Sequence, residues 1–169
     1  ENLKLMNLNF VNDETFFNFS CYEGANDDNG GALQLGRAYH MTASTSPNLS
    51  EVHIINTSDS ALSFTGTLFH KSGSQLGDSG VALHEGLIEP QSRLILSSSD
   101  LERRFNELPW TGPAMLDVRS SNQFELMTKL SRNGRVTNTN CVRTGNVHNV
   151  EGNDSSDVSY IRFINDGTA

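Results

Sequence analysis

Residues 77–80 carry the order Gly-Asp-Ser-Gly, which is the part of this chain closest to a catalytic motif. A nucleophilic serine such as Ser79 needs a histidine base, and that histidine needs a buried aspartate to orient it. His40, His53 and His70 lie upstream, but none of them stands in a recognisable base motif. A motif outside its structural context is weak evidence, and a turn between two strands explains the segment without catalysis. We therefore expect that the protein is not an enzyme.

An acidic loop offers the second kind of chemistry. Asp27, Asp28 and Asn29 are consecutive and precede Gly30, so several side-chain oxygens lie close together. Calcium takes about six to eight oxygen ligands, and this loop supplies only part of such a shell. The loop is also typical of a solvated turn, and we favour that interpretation. Calcium bound by these three residues is the alternative, and no other cofactor is predicted.

Four aromatic residues offer a third kind of chemistry, the stacking of sugar rings on aromatic faces. They are Trp110, Tyr22, Tyr39 and Tyr160. Asn and Arg side chains, which are available here, would hydrogen-bond the sugar hydroxyls. Trp is usually buried for most of its surface, so a place for Trp110 in the core is the favoured alternative.

The two cysteines, Cys21 and Cys141, both stand in strand-like surroundings. In a chain rich in Asn, Ser, Thr and Gly, such a pair suggests one disulfide bond. Two buried free thiols are the alternative. A disulfide would place the protein outside the cytosol, either secreted or on the cell surface.

The overall composition excludes two classes of partner. The net charge is −8, and no dense patch of Lys and Arg occurs, so we expect no binding to nucleic acid. No apolar run reaches about 18 residues, so we expect no membrane-spanning segment.

The apolar residues predict the elements that must position these side chains. The stretch 50–58 predicts a strand, followed by a polar turn and a second strand in which Leu62, Phe64 and Leu68 share one face. Further strands recur about every ten residues with Gly, Asn and Ser turns between them. Leu101, Phe105 and Leu108 predict a short helix that ends before Pro109. The fold class is therefore all-β, an antiparallel two-sheet β-sandwich with one short crossover helix.

A repeat suggests how the chain is divided. The pattern of residues 50–56 returns at 159–165, near the C-terminus. We predict an N-terminal β extension over 1–48 that packs on a β-sandwich module over 49–157. Residues 158–169 form a strand that opens a following repeat, docks on this chain's own sheet or swaps into a neighbouring molecule.

Several segments give the module a resemblance to known architectures. They are Ile-Ile-Asn at 54–56 with Phe-Ile-Asn at 163–165, Gly66-Thr67-Leu68 before the Gly73 turn, and residues 98–102 before Pro109-Trp110-Thr111-Gly112. The module resembles the immunoglobulin-like and fibronectin-type-III-like β-sandwich modules of large secreted bacterial proteins. The resemblance implies architecture and carries no catalytic residues.

Two functions are compatible with such a module. The first is a non-catalytic extracellular recognition module that binds carbohydrate, such as a polysaccharide or a cell-surface glycan, as part of a larger secreted or surface protein. The second is a structural spacer or adhesin-type repeat, whose partners are the neighbouring modules of the same protein.

Overall fold

The computed structural model describes residues 33–133 without a break, and strand segments at 8–11, 15–18, 23–24, 26–27 and 135–138. Strands dominate the described residues, and one helix interrupts them. The strands and the helix are β1 Leu8–Val11, β2 Thr15–Asn18, β3 Glu23–Gly24, β4 Asn26–Asp27, β5 Gln34–Met41, β6 Leu49–Asn56, β7 Thr65–His70, β8 Gln75–Ala82, β9 Arg93–Ser97, α1 Ser98–Arg104, β10 Ala114–Ser120, β11 Phe124–Arg132 and β12 Arg135–Asn138.

The strands form two sheets and a separate β1–β2 hairpin. The first sheet has the strand order β4-β5-β10-β7-β8, and the second has the order β12-β11-β6-β9, with β3 also paired to β11. The described strand pairings are all antiparallel. The predicted two-sheet antiparallel β-sandwich with a short helix is confirmed.

Period-two alternation builds the core between the sheets. Leu62, Phe64 and Leu68 are buried, as the sequence predicted. Phe64 meets Phe124 of the second sheet edge-to-face, with ring centroids 5.3 Å apart. Gly36 of β5 allows the sheets to approach closely, because a Cβ atom there would lie 2.7 Å from Leu126 Cδ1.

The chain crosses from one sheet to the other at a buried asparagine. β6 and β7 are the predicted strand–turn–strand pair, but they lie in opposite sheets. Between them Asn56 is 0% exposed. Its Nδ2 donates to Ser60 O at 2.7 Å and to Ile88 O at 2.9 Å, while its Oδ1 accepts from Ser58 N at 3.0 Å. Since buried amides need such partners, these contacts fix the path of the crossing.

The predicted short crossover helix is present and connects β9 of the second sheet with β10 of the first, but it ends earlier than predicted. Its N-cap is Ser97, whose Oγ accepts from Asp100 N at 3.2 Å while Asp100 Oδ2 accepts from Ser97 N at 3.1 Å. This reciprocal pair is a capping box. The helix ends at Arg104, so Leu108, which was predicted to belong to the helix, lies beyond its end and is 80% exposed. Phe105 follows the last turn and is buried.

The Gly-Asp-Ser-Gly segment lies inside edge strand β8, so its prediction as a turn between strands is wrong. Residues 77–80 bulge out opposite Thr67 of β7, because the flanking Leu76 and Val81 pair with residues only two apart. Gly77 and Gly80 adopt φ of 61° and 63°, a region that suits glycine. A bulge on an edge strand also hinders pairing with another sheet.

The predicted extension 1–48 contains a strand of the sandwich itself, because β5 pairs with β4 on one side and β10 on the other. The boundary after residue 48 coincides with the connection from β5 to β6. The predicted C-terminal strand 158–169 lies outside the described residues, so its docking stays a prediction.

Candidate functional site

A cleft of about 310 Å³ opens between two connections of the sandwich. One wall is the connection from β5 to β6, and the other is the segment that leads from α1 to β10. Its lining is mostly polar and comprises His40, Thr42, Ala43, Thr45, Ser46, Asn48, Trp110, Thr111, Gly112 and Pro113.

Short-range hydrogen bonds hold the first wall. Thr42 N donates to Ser50 Oγ at 2.9 Å, across the base of the connection. Within it, Ser46 N donates to Ala43 O at 3.0 Å and Asn48 N donates to Ser46 Oγ at 3.1 Å. Ser and Asn side chains favour such local turns. The wall is therefore formed before any ligand arrives.

The helix fastens the same wall from outside the cleft. Glu102 of α1 accepts from Ser44 N at 2.8 Å with Oε1 and from Ser44 Oγ at 2.7 Å with Oε2. Hydrogen bonds to a carboxylate are stronger than those between neutral groups. Both Glu102 oxygens are thus engaged by the connection, and Glu102 is not among the residues that line the cleft.

Two side chains hold the second wall. Trp110 Nε1 donates to Met41 O at 3.3 Å, which ties this wall to the end of β5. His70 Nε2 lies 2.9 Å from Thr111 O, and its Nδ1 lies 2.9 Å from Ser72 Oγ. A carbonyl only accepts hydrogen bonds, so Nε2 carries the proton and Nδ1 accepts from the serine hydroxyl.

A β-bulge directs His40 into the lining. The register pairs Ala38 with Leu116 and Met41 with Ala114, so two residues of β5 stand opposite one residue of β10. His40 has φ of 63°, and this left-handed backbone conformation costs a residue other than glycine about 1–2 kcal/mol. Bulges of this kind re-aim side chains and are common beside functional sites.

The described aromatic candidates are buried. Trp110 is 7% exposed and belongs to the core, which was the favoured alternative for it, and Tyr39 is 3% exposed. Neither ring offers an open face on which a sugar could stack, although Trp110 contributes to the cleft lining. Tyr22 and Tyr160 lie outside the described residues, so their ligand role stays a prediction.

Most of the predicted calcium and disulfide residues also lie outside the described part of the chain. Asp27 belongs to β4, while Asp28, Asn29, Cys21 and Cys141 are not described. Within the described ranges, no three His, Cys, Asp or Glu residues are grouped closely enough to hold a metal ion. In the same ranges no helix has the length and apolar character needed to cross a membrane.

Ser79 of the Gly-Asp-Ser-Gly segment is exposed on the β8 bulge. Two of the three upstream histidines that the sequence offered as a base have other partners. His70 contacts Thr111 and Ser72, and His53 contacts Glu51.

His53 lies on the outer face of the second sheet, yet it is only 7% exposed. Its Nε2 lies 3.5 Å from Glu51 Oε2, which also accepts from Lys129 Nζ at 3.2 Å. Its Nδ1 is buried and has no hydrogen-bond partner among the residues that the structure describes. Burial lowers the pKa of His53, and the positive charge of Arg93 adds to this effect, although the hydrogen bond with Glu51 opposes it.

Apart from Trp110, sequence reasoning did not assign the residues of the cleft to a ligand site. Residues 42–48 are rich in Ser, Thr, Asn and Pro, a composition that is equally typical of a connector between domains. No local signal showed that residues near 40 and 110 would meet. Comparison of the chain with protein-family models, with curated proteins and with solved structures found no match.

Proposed function

We propose that this protein is a non-catalytic recognition module of a larger secreted or surface protein, and that it binds carbohydrate in the cleft. The observation that carries the proposal is the polar lining between two connections that hydrogen bonds already hold in place. We further propose that the sandwich is related in architecture to immunoglobulin-like and fibronectin-type-III-like modules.

The chemistry of the lining suits a polyhydroxylated ligand. Hydroxyl groups of Thr45 and Ser46 can donate and accept, and the amide of Asn48 can do both at once. The volume of about 310 Å³ lies at the lower end of the range for small-molecule sites, roughly 300–1,000 Å³. A short stretch or one end of a glycan therefore fits better than a long segment.

The hydrogen bonds of the walls support the proposal energetically. A site that is already ordered loses less conformational entropy when its ligand binds. Glu102 and His70 provide this order from outside the ligand space, and Trp110 provides it from the lining itself, since each of them holds a backbone atom of a wall.

The test uses the single tryptophan of the chain. Because Trp110 lines the cleft, its fluorescence should change when a glycan binds, and a glycan array would select the sugars to titrate. Asn48→Ala removes a lining amide and should weaken binding about fivefold, the effect of one lost hydrogen bond. Asn122→Ala is the matched control, because Asn122 is exposed in the turn beyond the other end of β10.

A structural spacer or adhesin-type repeat is the second candidate. The burial of Trp110 and Tyr39 favours it, because an exposed aromatic surface would have favoured sugar stacking. If no glycan on the array binds and the emission of Trp110 does not change, the recognition function is refuted and the spacer remains.

A further inference from the structure

We infer that the glycan bound in the cleft is acidic, with a carboxylate or sulfate group on its sugar ring. This inference rests on the proposed carbohydrate function and specifies its ligand class. Its basis is a lysine beside the cleft whose positive charge has no partner among the described residues.

Lys71 follows β7 and is exposed. Its side chain lies along Gly112, which lines the cleft, and its Nζ is 3.5 Å from the position that a Cβ atom of Gly112 would occupy. Gly112 has φ of 77°, so glycine suits this backbone, and its missing side chain leaves the ammonium group next to the wall.

Several other described cations pair with carboxylates. Lys129 pairs with Glu51 at 3.2 Å, and Arg103 pairs with Asp100 at 2.8 Å. Within residues 33–133, Lys71 has no carboxylate within ion-pair distance. Lys71 does not itself line the cleft, but its charge lies beside Gly112, where a ligand group that extends past this wall can meet it.

The lining itself favours an anion over a cation. None of the described lining residues is acidic, although the chain contains 20 Asp and Glu residues. Beyond about 8 Å, physiological salt largely screens charges, so the net charge of −8 repels a small acidic ligand weakly. Glu102 holds the first wall, and both of its oxygens accept hydrogen bonds from Ser44.

The lining also supplies donors that an anionic oxygen can accept. The hydroxyls of Thr45 and Ser46 and the amide nitrogen of Asn48 stand on the wall opposite Thr111 and Gly112. A carboxylate or sulfate on the sugar would accept hydrogen bonds from this wall and form an ion pair with Lys71, which lies beside Gly112 of the other wall. The remaining hydroxyls of a saccharide use the lining residues as both donors and acceptors.

The test compares three probes by the fluorescence of Trp110: an oligogalacturonide, the neutral galacto-oligosaccharide of the same length, and a sulfated form of that neutral oligosaccharide. We expect at least one acidic probe to bind about fivefold more tightly than the neutral probe at physiological salt, as one exposed ion pair would provide. High salt should reduce this preference.

Two variants that each remove one positive charge test whether Lys71 causes the preference for acidic probes. Lys71→Gln should bring the ratio of acidic to neutral affinity close to one. Arg93→Gln removes the same charge from the edge strand β9, where Arg93 pairs with Ile55 near the end of β6 remote from the cleft, and it should leave the ratio unchanged. Both side chains are exposed, so both variants should fold, which circular dichroism would verify.

The outcomes separate this inference from the proposed function. Equal binding of acidic and neutral probes overturns the inference and leaves carbohydrate binding standing. An acidic preference that survives Lys71→Gln, or equally tight binding of polyglutamate, also overturns it. If none of the three probes binds and the glycan array is negative, the proposed function itself fails.

Discussion

Replacing Gly77 by alanine should destabilise the protein strongly, because this glycine touches the backbone that follows the helix. A Cβ atom at residue 77 would lie 2.1 Å from Phe105 O. The same carbonyl accepts a hydrogen bond from Asp78 N at 3.1 Å. This hydrogen bond fixes the β8 bulge against the end of α1, and the new methyl group would disrupt it.

Three terms set the size of the effect. Alanine at φ of 61° costs about 1–2 kcal/mol more than glycine. Loss of the hydrogen bond from Asp78 costs about 0.5–1.5 kcal/mol, and displacement of the buried Phe105 side chain costs about 1–3 kcal/mol, as in an overpacked core. Gly77→Ala should therefore lower the free energy of unfolding by about 4 kcal/mol and the Tm by roughly 8–16 °C for a chain of this size.

Gly80→Ala is the matched control. Gly80 lies in the same bulge with φ of 63°, but a Cβ atom there would meet nothing within 4 Å. This substitution should therefore lower the free energy of unfolding only by the backbone conformational cost of about 1–2 kcal/mol. Urea unfolding and calorimetry of both variants measure the difference. Equal destabilisation of the two would refute the close contact between the bulge and Phe105.

Three further predictions concern the cap, the buried histidine and the cysteines. Ser97→Ala should cost about 1 kcal/mol in urea unfolding because the capping box is lost, and an equal loss in Ser99→Ala, whose side chain is exposed on the helix, would contradict this. Burial lowers the pKa of His53 below its ordinary 6.5, so the unfolded chain binds a proton first and stability should fall as the pH drops below 6.5. His53→Gln should flatten this dependence in unfolding series between pH 7.5 and 5, and an unchanged slope would argue against it. Mass spectrometry of unreduced peptides should find Cys21 linked to Cys141, whereas alkylation of both thiols in the native protein would show that they are free.

The candidate site was much harder to predict than the fold. The sequence predicted that Trp110 belongs to the core, and it does, but the cleft beside it was not foreseen. Residues 42–48 have the composition of a linker, and their role depends on Glu102 and Trp110, which lie more than fifty positions away in the chain. Contacts between residues so far apart leave no local periodicity that sequence reasoning could detect.

The sequence by itself determined the sheet elements, because alternation with a period of two requires no partner to be recognised. Leu62, Phe64 and Leu68 were assigned to one buried face on that basis, and Leu101 and Phe105 marked the buried side of a short helix before its neighbours were known. Polar turns with Gly and Asn set the approximate ends of the strands in the same way.

Tertiary structure alone decided where those elements lie relative to one another. The crossing at Asn56, the β8 bulge against Phe105 and the His40 bulge at the cleft each depend on a partner supplied by a distant strand or helix. A hydrophobic pattern records which face of a strand is buried but not which element covers it. His53 shows the same limit, since it lies on the outer face of β6 and its place between β11 and β9 nevertheless leaves it buried.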